Sequence, residues 1–109
     1  MIGIDIVQVS RITKAVERYG DRFLDKVFTV EELAYTKQKR RMGETLAGRF
    51  AAKEAFIKAI GKSIPWKEIH IQQEEGKPYI LFNGQRYDNV SIAHEREYAV
   101  AIVQINQLL

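Results

Sequence analysis

The chain has 109 residues, of which 46% are hydrophobic and 28% charged, so it can build one domain around one core but not two. Cysteine is absent, which excludes a disulfide scaffold, a thiolate metal site and a cysteine nucleophile. No apolar run approaches the roughly 20 residues that a bilayer crossing needs, and an acidic residue interrupts the apolar N-terminus. We therefore expect a cytoplasmic protein with no membrane partner.

Positive charge is concentrated in the N-terminal part of the chain. Residues 1–62 carry 13 Lys and Arg against 8 Asp and Glu, whereas residues 63–109 carry 4 against 6. This asymmetry predicts an anionic partner for the N-terminal part. Nucleic acid, a phosphate-bearing ligand and an acidic protein all satisfy that description.

The first predicted elements are a strand and a basic helix. Residues 2–7 alternate as a strand does, with three isoleucines on one face and Asp5 on the other. Ser10 is predicted to cap a helix that Gly20 ends. Basic side chains keep roughly to one side of this segment, as a solvated face or a docking surface for an acidic helix: Arg11, Lys14, Arg18 and Arg22.

Two further helices are predicted before the pattern changes. Thr29 and Glu32 match a capping box, which indicates a helix from Val30 towards Lys39. Residues 44–60 contain no proline, and their apolar side chains cover nearly the whole circumference of a helix. Such a helix is predicted to be largely buried, either in a central position or in an oligomer.

After Pro65 the sequence changes to short strands separated by turn residues. The predicted strands are residues 68–72, 78–82, 90–93 and 98–105, joined by connections short enough for hairpins. The predicted fold class is α+β, with an antiparallel sheet packed on a long central helix. We expect a single domain over residues 1–109.

Two carboxylates and a lysine are the main candidates for chemistry. Glu54 and Lys58 are four residues apart and share a helix face, where an exposed ion pair is the structural alternative. Asp5 lies within an apolar strand, where a carboxylate needs a cationic partner such as arginine, hydrogen bonds or a metal. Together Asp5 and Glu54 offer hard oxygen ligands to Mg²⁺, which takes one or two carboxylates plus substrate phosphates.

Three blocks of the sequence, in order, resemble the holo-[acyl-carrier-protein] synthases, the short bacterial type of 4′-phosphopantetheinyl transferase. They are GIDIV with Asp5, AGRFAAKEAFIKA with Glu54 and Lys58, and VSIAHEREYA with His94. The resemblance implies the 4′-phosphopantetheinyl transferase fold and Mg²⁺-dependent transfer of 4′-phosphopantetheine from coenzyme A to a serine of apo-acyl carrier protein. Adenosine 3′,5′-bisphosphate would be the second product, and the activity would support fatty acid biosynthesis.

The resemblance also implies roles for individual residues. Asp5 and Glu54 would hold Mg²⁺, Lys58 would stabilise charge on phosphate oxygens, and either Glu54 or a metal-bound water would accept the serine proton. Contacts to coenzyme A are implied for Lys58, Ser91, His94, Gly76 and Pro78. Contacts to the acidic helix of the carrier protein are implied for Arg11, Arg18 and Arg22. The resemblance further implies a homotrimer with active sites between subunits.

Two other functions remain open from the residues alone. A non-enzymatic module would bind RNA or an acidic protein through the basic N-terminal part, although the chain lacks an RNA-binding aromatic motif and we expect no nucleic acid partner. A different Mg²⁺-dependent hydrolase or phosphotransferase would use the same carboxylates, although Gly61-Lys62-Ser63 lacks the upstream glycine of a P-loop. Binding of coenzyme A rather than a nucleoside triphosphate distinguishes these functions.

Overall fold

The structure, a computed structural model, describes residues 1–106, so the last three residues of the predicted domain lie outside it. The N-terminal part consists of strand β1 (Ile2–Gln8) and helices α1 (Val9–Tyr19), α2 (Asp21–Val27), α3 (Val30–Lys37) and α4 (Met42–Ile60). A 3₁₀ turn (Trp66–Glu68) leads into strands β2 (His70–Glu74), β3 (Lys77–Phe82), β4 (Gln85–Tyr87), β5 (Val90–His94) and β6 (Tyr98–Gln104). The α+β class is confirmed. Within residues 1–106, no helix is both long and apolar enough to cross a membrane.

The strands form two three-stranded antiparallel sheets rather than the single sheet expected. The first sheet has the order β1–β6–β5 and the second the order β2–β3–β4. Glu75-Gly76 and Asn83-Gly84 connect the hairpins of the second sheet, with positive φ at both residues of each pair. Two-residue turns of this kind match the twist of the flanking strands and favour glycine at the second position.

Helix α4 forms the centre of the molecule. Twelve of its 19 residues are buried, so the prediction of a largely buried long helix is confirmed. The first sheet covers much of the helix, and α1, α3 and β2 also pack against it. Its apolar circumference is therefore explained by its central position and is not itself evidence for an oligomer.

Strand β1 approaches α4 more closely than a side chain at Gly3 would permit. A Cβ atom at Gly3 would collide with the carbonyl oxygen of Ala55 and lie 2.7 Å from the backbone nitrogen of Ala59. Because side chains alternate along a strand, Asp5 points to the same side as Gly3. The close approach thus directs the Asp5 carboxylate towards the helix.

The opposite face of the first sheet is apolar and exposed. Ile2, Ile4 and Ile6 are 63%, 58% and 64% exposed. The strand register places Ile102 opposite Ile4 and Tyr98 opposite Gln8, on the same side of the sheet. These residues form an isoleucine face, defined here as Ile2, Ile4, Ile6, Ile102 and Tyr98.

The start of α1 differs from the prediction. The helix begins at Val9, directly after β1, and the predicted cap residue Ser10 lies inside it, so that prediction is wrong. The backbone nitrogen of Val9 donates to the carbonyl oxygen of Glu97 at 2.8 Å. A backbone acceptor between β5 and β6 thereby satisfies one of the unpaired N–H groups that a side-chain cap would otherwise serve.

The basic segment is divided between two helices. Gly20 ends α1, as predicted, and α2 begins at the next residue. Arg22 therefore belongs to α2, so the predicted basic face is not built on a single helix. The capping box of Thr29 and Glu32 is present at the start of α3, which ends at Lys37.

A fully buried ion pair joins α3 to α4. The Nζ atom of Lys53 lies 2.8 Å from Oε1 of Glu32 and also donates to the carbonyl oxygens of Val27 and Trp66. The second carboxylate oxygen of Glu32 accepts from the backbone of Ile71 at 2.7 Å. Burial lowers the pKa of Lys53, and Glu32 opposes that shift. Because these hydrogen bonds compensate much of the cost of burial, the pair can connect five elements inside the core: α2, α3, α4, the 3₁₀ turn and β2.

Candidate active site

Asp5 and Lys58 meet where β1 lies against α4. The Nζ atom of Lys58 donates to Oδ1 of Asp5 at 3.1 Å and to the carbonyl oxygen of Ile4 at 3.0 Å. The Asp5 side chain is 16% exposed and the Lys58 side chain 56%. Lys58 is thus the cationic partner that Asp5 needs, and the structural alternative of a surface ion pair between Glu54 and Lys58 is not formed. Glu54 lies on the same side of α4, one turn before Lys58.

The donor set at this position suits a hard cation. Glu54 is half-buried, and within residues 1–106 it makes no hydrogen bond or ion pair. No group of three or more His, Asp or Glu side chains in this part of the chain is arranged to hold a metal. A cation between Asp5 and Glu54 would complete its coordination with substrate oxygens and water, which is the usual mode for Mg²⁺.

A basic pocket of about 380 Å³ lies beside the N-terminal half of α4. This volume is typical of sites for small molecules and cofactors. Of the predicted coenzyme A contacts, His94, Gly76 and Pro78 all line this pocket. Four cationic side chains that were not predicted to contact coenzyme A also line it: Lys39, Arg40, Arg41 and Arg49.

Arg49 is buried in the wall of the basic pocket, with 4% of its surface exposed. Its guanidinium carbon lies 4.2 Å from the ring centre of Tyr35, whose hydroxyl donates to Gln73 at 2.7 Å. Burial lowers the pKa of Arg49, although arginine stays protonated in proteins. Within the described chain its Nε atom has no hydrogen-bond partner. An unpaired buried donor beside a cavity favours an anionic ligand there.

His94 and Glu44 form a second polar group in the basic pocket. The Nδ1 atom of His94 lies 3.0 Å from Oε1 of Glu44, and Arg41 donates to Oε2 of Glu44 at 3.1 Å. The hydrogen bond to His94 lowers the pKa of Glu44, Arg41 adds to this effect, and burial opposes it. Glu44 is therefore ionised at neutral pH. A Cβ atom at Gly48 would lie 3.0 Å from the Ile92 side chain, which is tighter than usual, and 3.6 Å from the His94 ring, which is an ordinary contact.

Ser91 does not share the basic pocket with His94. Strand β5 pairs Ser91 with Ile102 and His94 with Ala99. Ile102 is exposed on the isoleucine face, whereas Ala99 is buried on the side of the sheet that packs on α4. Residues three positions apart in a strand point to opposite faces, so one chain cannot present both side chains to the same ligand atoms.

The predicted carrier-protein residues are exposed on two adjacent helices. Arg11 and Arg18 lie on α1 and Arg22 on α2. Arg22 also lines a cavity of about 340 Å³ together with apolar and basic neighbours: Tyr19, Phe23, Lys26, Val27 and Trp66. The surface around Arg22 therefore combines positive charge with exposed apolar area.

The segment Gly61-Lys62-Ser63 does not form a phosphate-binding loop. Gly61 is the left-handed C-cap of α4, with φ of 78°. A P-loop precedes a helix and uses the N–H groups of the helix N-terminus, whereas a helix C-terminus presents carbonyl oxygens and a partial negative charge. This segment therefore gives no support to the alternative of a different Mg²⁺-dependent hydrolase or phosphotransferase on the same carboxylates.

Several residues of the basic pocket were not among the predicted site residues. Arg41 belongs to the basic run at residues 37–41, and Arg49 lies inside the AGRFAAKEAFIKA block, so both were visible in the sequence. Glu44 lies four residues before Gly48, on the same face of α4. No local pattern indicated Tyr35 and Gln73, which come together only through the packing of α3 against β2.

Comparison with known proteins identifies the family. The sequence profile of the 4′-phosphopantetheinyl transferase superfamily matches residues 1–103. The holo-[acyl-carrier-protein] synthase of Halothermothrix orenii is 46% identical over 94% of this chain and 93% of its own length. The chain therefore belongs to the 4′-phosphopantetheinyl transferase superfamily and, within it, to the holo-[acyl-carrier-protein] synthases, which confirms the resemblance.

Solved structures agree with this assignment. The holo-[acyl-carrier-protein] synthase of Helicobacter pylori in complex with coenzyme A is 32% identical and covers 97% of this chain and 100% of its own, with a TM-score of 0.87. The Bacillus anthracis enzyme, described in complex with CoA (3′,5′-ADP), is 34% identical, covers 94% of this chain and 91% of its own, and has a TM-score of 0.81.

Proposed function

We propose that this chain transfers 4′-phosphopantetheine from coenzyme A to a serine of apo-acyl carrier protein, giving holo-acyl carrier protein and adenosine 3′,5′-bisphosphate. The observation that carries this proposal is the arrangement of two charged sites along α4. The basic pocket contains Glu44 and Arg49, and a second site, called here the carboxylate site, consists of Asp5 and Glu54. Ten residues of helix separate Glu44 from Glu54, or about 15 Å. This spacing suits a ligand that carries two separate phosphate groups, one for each site.

Coenzyme A matches that requirement, because it carries a phosphomonoester on its ribose and a pyrophosphate. We assign the ribose phosphate to the basic pocket, with His94, Arg41 and Arg49 as donors. Gly76 and Pro78 would border the adenine. The pyrophosphate would lie near Lys58, whose ammonium group is the cation beside the carboxylate site. The complexes of the H. pylori and B. anthracis proteins with coenzyme A or 3′,5′-ADP support coenzyme A as the ligand.

The reaction would be a phosphoryl transfer at the phosphorus that bears pantetheine. The serine oxygen forms a bond to this phosphorus, and the bond to the bridging pyrophosphate oxygen breaks, so that adenosine 3′,5′-bisphosphate leaves. Lys58 would stabilise the negative charge on the phosphate oxygens. Asp5 and Glu54 would hold Mg²⁺, which when bound supplies further neutralisation of this charge.

The serine proton also needs an acceptor. Glu54 is the residue of this chain best suited to that role, because its carboxylate is half-buried and, among the described residues, has no hydrogen-bonding or ionic partner. Asp5 is less suited because its Oδ1 atom already accepts from Lys58. Holding the serine and the phosphorus in line would itself supply much of the rate acceleration.

The carrier protein would bind at the exposed surface formed by α1 and α2. Arg11, Arg18 and Arg22 would meet its acidic helix. Such contacts between exposed charges accelerate association and weaken as salt is added. We further propose that the enzyme acts in the cytoplasm, in fatty acid biosynthesis.

The assembly would be a homotrimer that uses the isoleucine face. Ile2, Ile4 and Ile6 form an exposed apolar row of the kind that marks protein interfaces. Ser91 lies on the same side of the sheet as this row. In an assembly with active sites between subunits, Ser91 would therefore reach coenzyme A only in a neighbouring subunit.

Mass spectrometry of apo-acyl carrier protein, incubated with this protein, coenzyme A and Mg²⁺, tests the proposal. We expect the carrier protein to gain the mass of one phosphopantetheine group, and EDTA to abolish the gain. Asp5→Asn and Glu54→Gln should reduce the rate at least a hundredfold. Glu68→Gln, which changes an exposed carboxylate in the 3₁₀ turn, should leave it unchanged. No mass gain with several carrier proteins would refute the proposed transfer.

A further inference from the structure

Glu44 is an acidic residue in a pocket whose other charged side chains are cationic. Of the described residues that line the basic pocket, Lys39, Arg40, Arg41 and Arg49 carry positive charge and Glu44 alone carries negative charge. A carboxylate repels the anion that such a pocket attracts. Glu44 must therefore contribute something to ligand binding that offsets this repulsion.

The geometry of Glu44 indicates what that role is. Oε1 lies 3.0 Å from Nδ1 of His94 and Oε2 accepts from Arg41 at 3.1 Å, so both oxygens are occupied by donors. The Glu44 side chain is only 10% exposed, whereas those of His94 and Arg41 are 40% and 57% exposed. The carboxylate thus lies behind the two donors, in the first turn of α4, where the helix dipole also favours negative charge.

We propose that Glu44 is a positioning residue that orients His94 and Arg41 to bind the phosphomonoester of the ligand. A hydrogen bond at Nδ1 determines the orientation of an imidazole ring and leaves Nε2 for another partner. The carboxylate likewise limits the guanidinium of Arg41 to one orientation, so less side-chain entropy is lost when phosphate binds. This inference rests on the proposed function, in which the basic pocket receives the ribose phosphate of coenzyme A.

Two explanations of Glu44 predict opposite effects of Glu44→Gln, which removes the charge but keeps the shape. If Glu44 only contributes negative charge, the variant binds coenzyme A more tightly. If Glu44 positions the donors, the variant binds coenzyme A five- to tenfold more weakly, because the amide NH₂ that replaces one carboxylate oxygen cannot accept from the donor that faces it. The effect should be confined to ligands that carry the ribose phosphate.

Isothermal titration calorimetry with coenzyme A and with 3′-dephospho-coenzyme A separates these explanations. We expect Glu44→Gln to lose five- to tenfold in affinity for coenzyme A and less than twofold for the dephospho compound. The KM for coenzyme A should rise while kcat is retained. Glu31→Gln removes an exposed carboxylate from the first turn of α3 and should change neither affinity.

A spectroscopic measurement reports on the orientation directly. The chain has two histidines, so the ¹⁵N resonances of His94 can be compared with those of His70 in the same sample. Glu44→Gln should shift the Nδ1 resonance of His94 and leave His70 unchanged. Tighter or unchanged binding of coenzyme A by the variant, an equal loss for both ligands, or an unshifted His94 resonance would overturn the inference. If the wild-type protein does not bind coenzyme A, the proposed function fails with it.

Discussion

Arg49 and Arg86 both stack closely on tyrosine rings, in contrasting surroundings. Arg49 is buried over Tyr35 in the wall of the basic pocket, with its Nε atom unpaired. Arg86 lies 3.8 Å from the ring centre of Tyr79 on the exposed second sheet, where Glu74 and Asp88 pair with it. Arg49 therefore keeps a donor for a ligand, whereas the donors of Arg86 are paired with carboxylates of the protein.

This contrast predicts different responses to a substitution that conserves charge. Lysine cannot reproduce the planar, bidentate donors of arginine or its stacking on an aromatic ring. Arg49→Lys should therefore weaken coenzyme A binding by about tenfold or more, or about 1.4 kcal/mol. Arg86→Lys should leave it unchanged. Titration calorimetry measures both, and equal affinities for Arg49→Lys and the wild type would show that the guanidinium geometry is not used.

The sequence indicated which charged residues matter but not which residues they contact. Asp5 and Lys58 were both recognised, but their contact with each other was not, because it depends on how β1 lies against α4. Lys53 precedes Glu54 in the same block and forms the buried ion pair of the core with Glu32, which is 21 positions away. Helical spacing predicts neighbours on one helix and contains no information about neighbours from another element.

The packing of β1 on α4 is the contact between elements that matters most for the site. Strand and helix touch at backbone level because residue 3 is glycine. The same contact determines where Asp5 lies relative to Glu54 and Lys58. A change that separates strand from helix should therefore affect both folding and catalysis.

Gly3→Ala is expected to lower the free energy of unfolding by at least about 2 kcal/mol, because the added methyl collides with backbone atoms that cannot rotate away. Gly43→Ala is the matched control. Its Cβ would lie 3.5 Å from Thr13, an ordinary contact, and alanine should stabilise the helix by about 0.5–1 kcal/mol. Urea unfolding measures both variants. A Gly3→Ala protein as stable as the wild type would contradict the close approach.

Elements with strong local signals were predicted and those without were missed. The Thr29–Glu32 capping box and the alanine-rich composition of residues 44–60 correctly indicated α3 and α4. Helix α2 has seven residues and strand β4 has three, too short for a hydrophobic period to be recognised. Ser10 failed as a cap because the chain passes directly from β1 into α1, which no single-residue preference reveals.

At the scale of the whole molecule, one face of the first sheet is buried against a helix and the other is exposed. One face carries Gly3, Asp5 and Val7 against α4, and the other carries the isoleucine face towards solvent. The alternation was visible in the sequence, but which face is buried was not. The more apolar face is the one left exposed, because the close approach to α4 requires glycine on the other. An exposed row of this kind is explained by association with further copies of the chain.

Substitution of Ile4 tests that association. Ile4 lies in the middle of the isoleucine face and is 58% exposed, so Ile4→Glu should cost little in a monomer but place a charge inside an apolar interface. Light scattering should give the wild type a mass three times that of the 12.6 kDa chain and Ile4→Glu a mass close to that of one chain.

Val30→Glu is the matched control, because Val30 is 74% exposed on α3, outside the isoleucine face, and this variant should keep the wild-type mass. If active sites lie between subunits, Ile4→Glu should lose transfer activity in proportion to the monomer fraction, while Val30→Glu retains it. A monomeric wild type would remove the proposed trimer. If the Ile4→Glu variant is monomeric but active, the wild type is still a trimer through this face, and one chain contains the complete site.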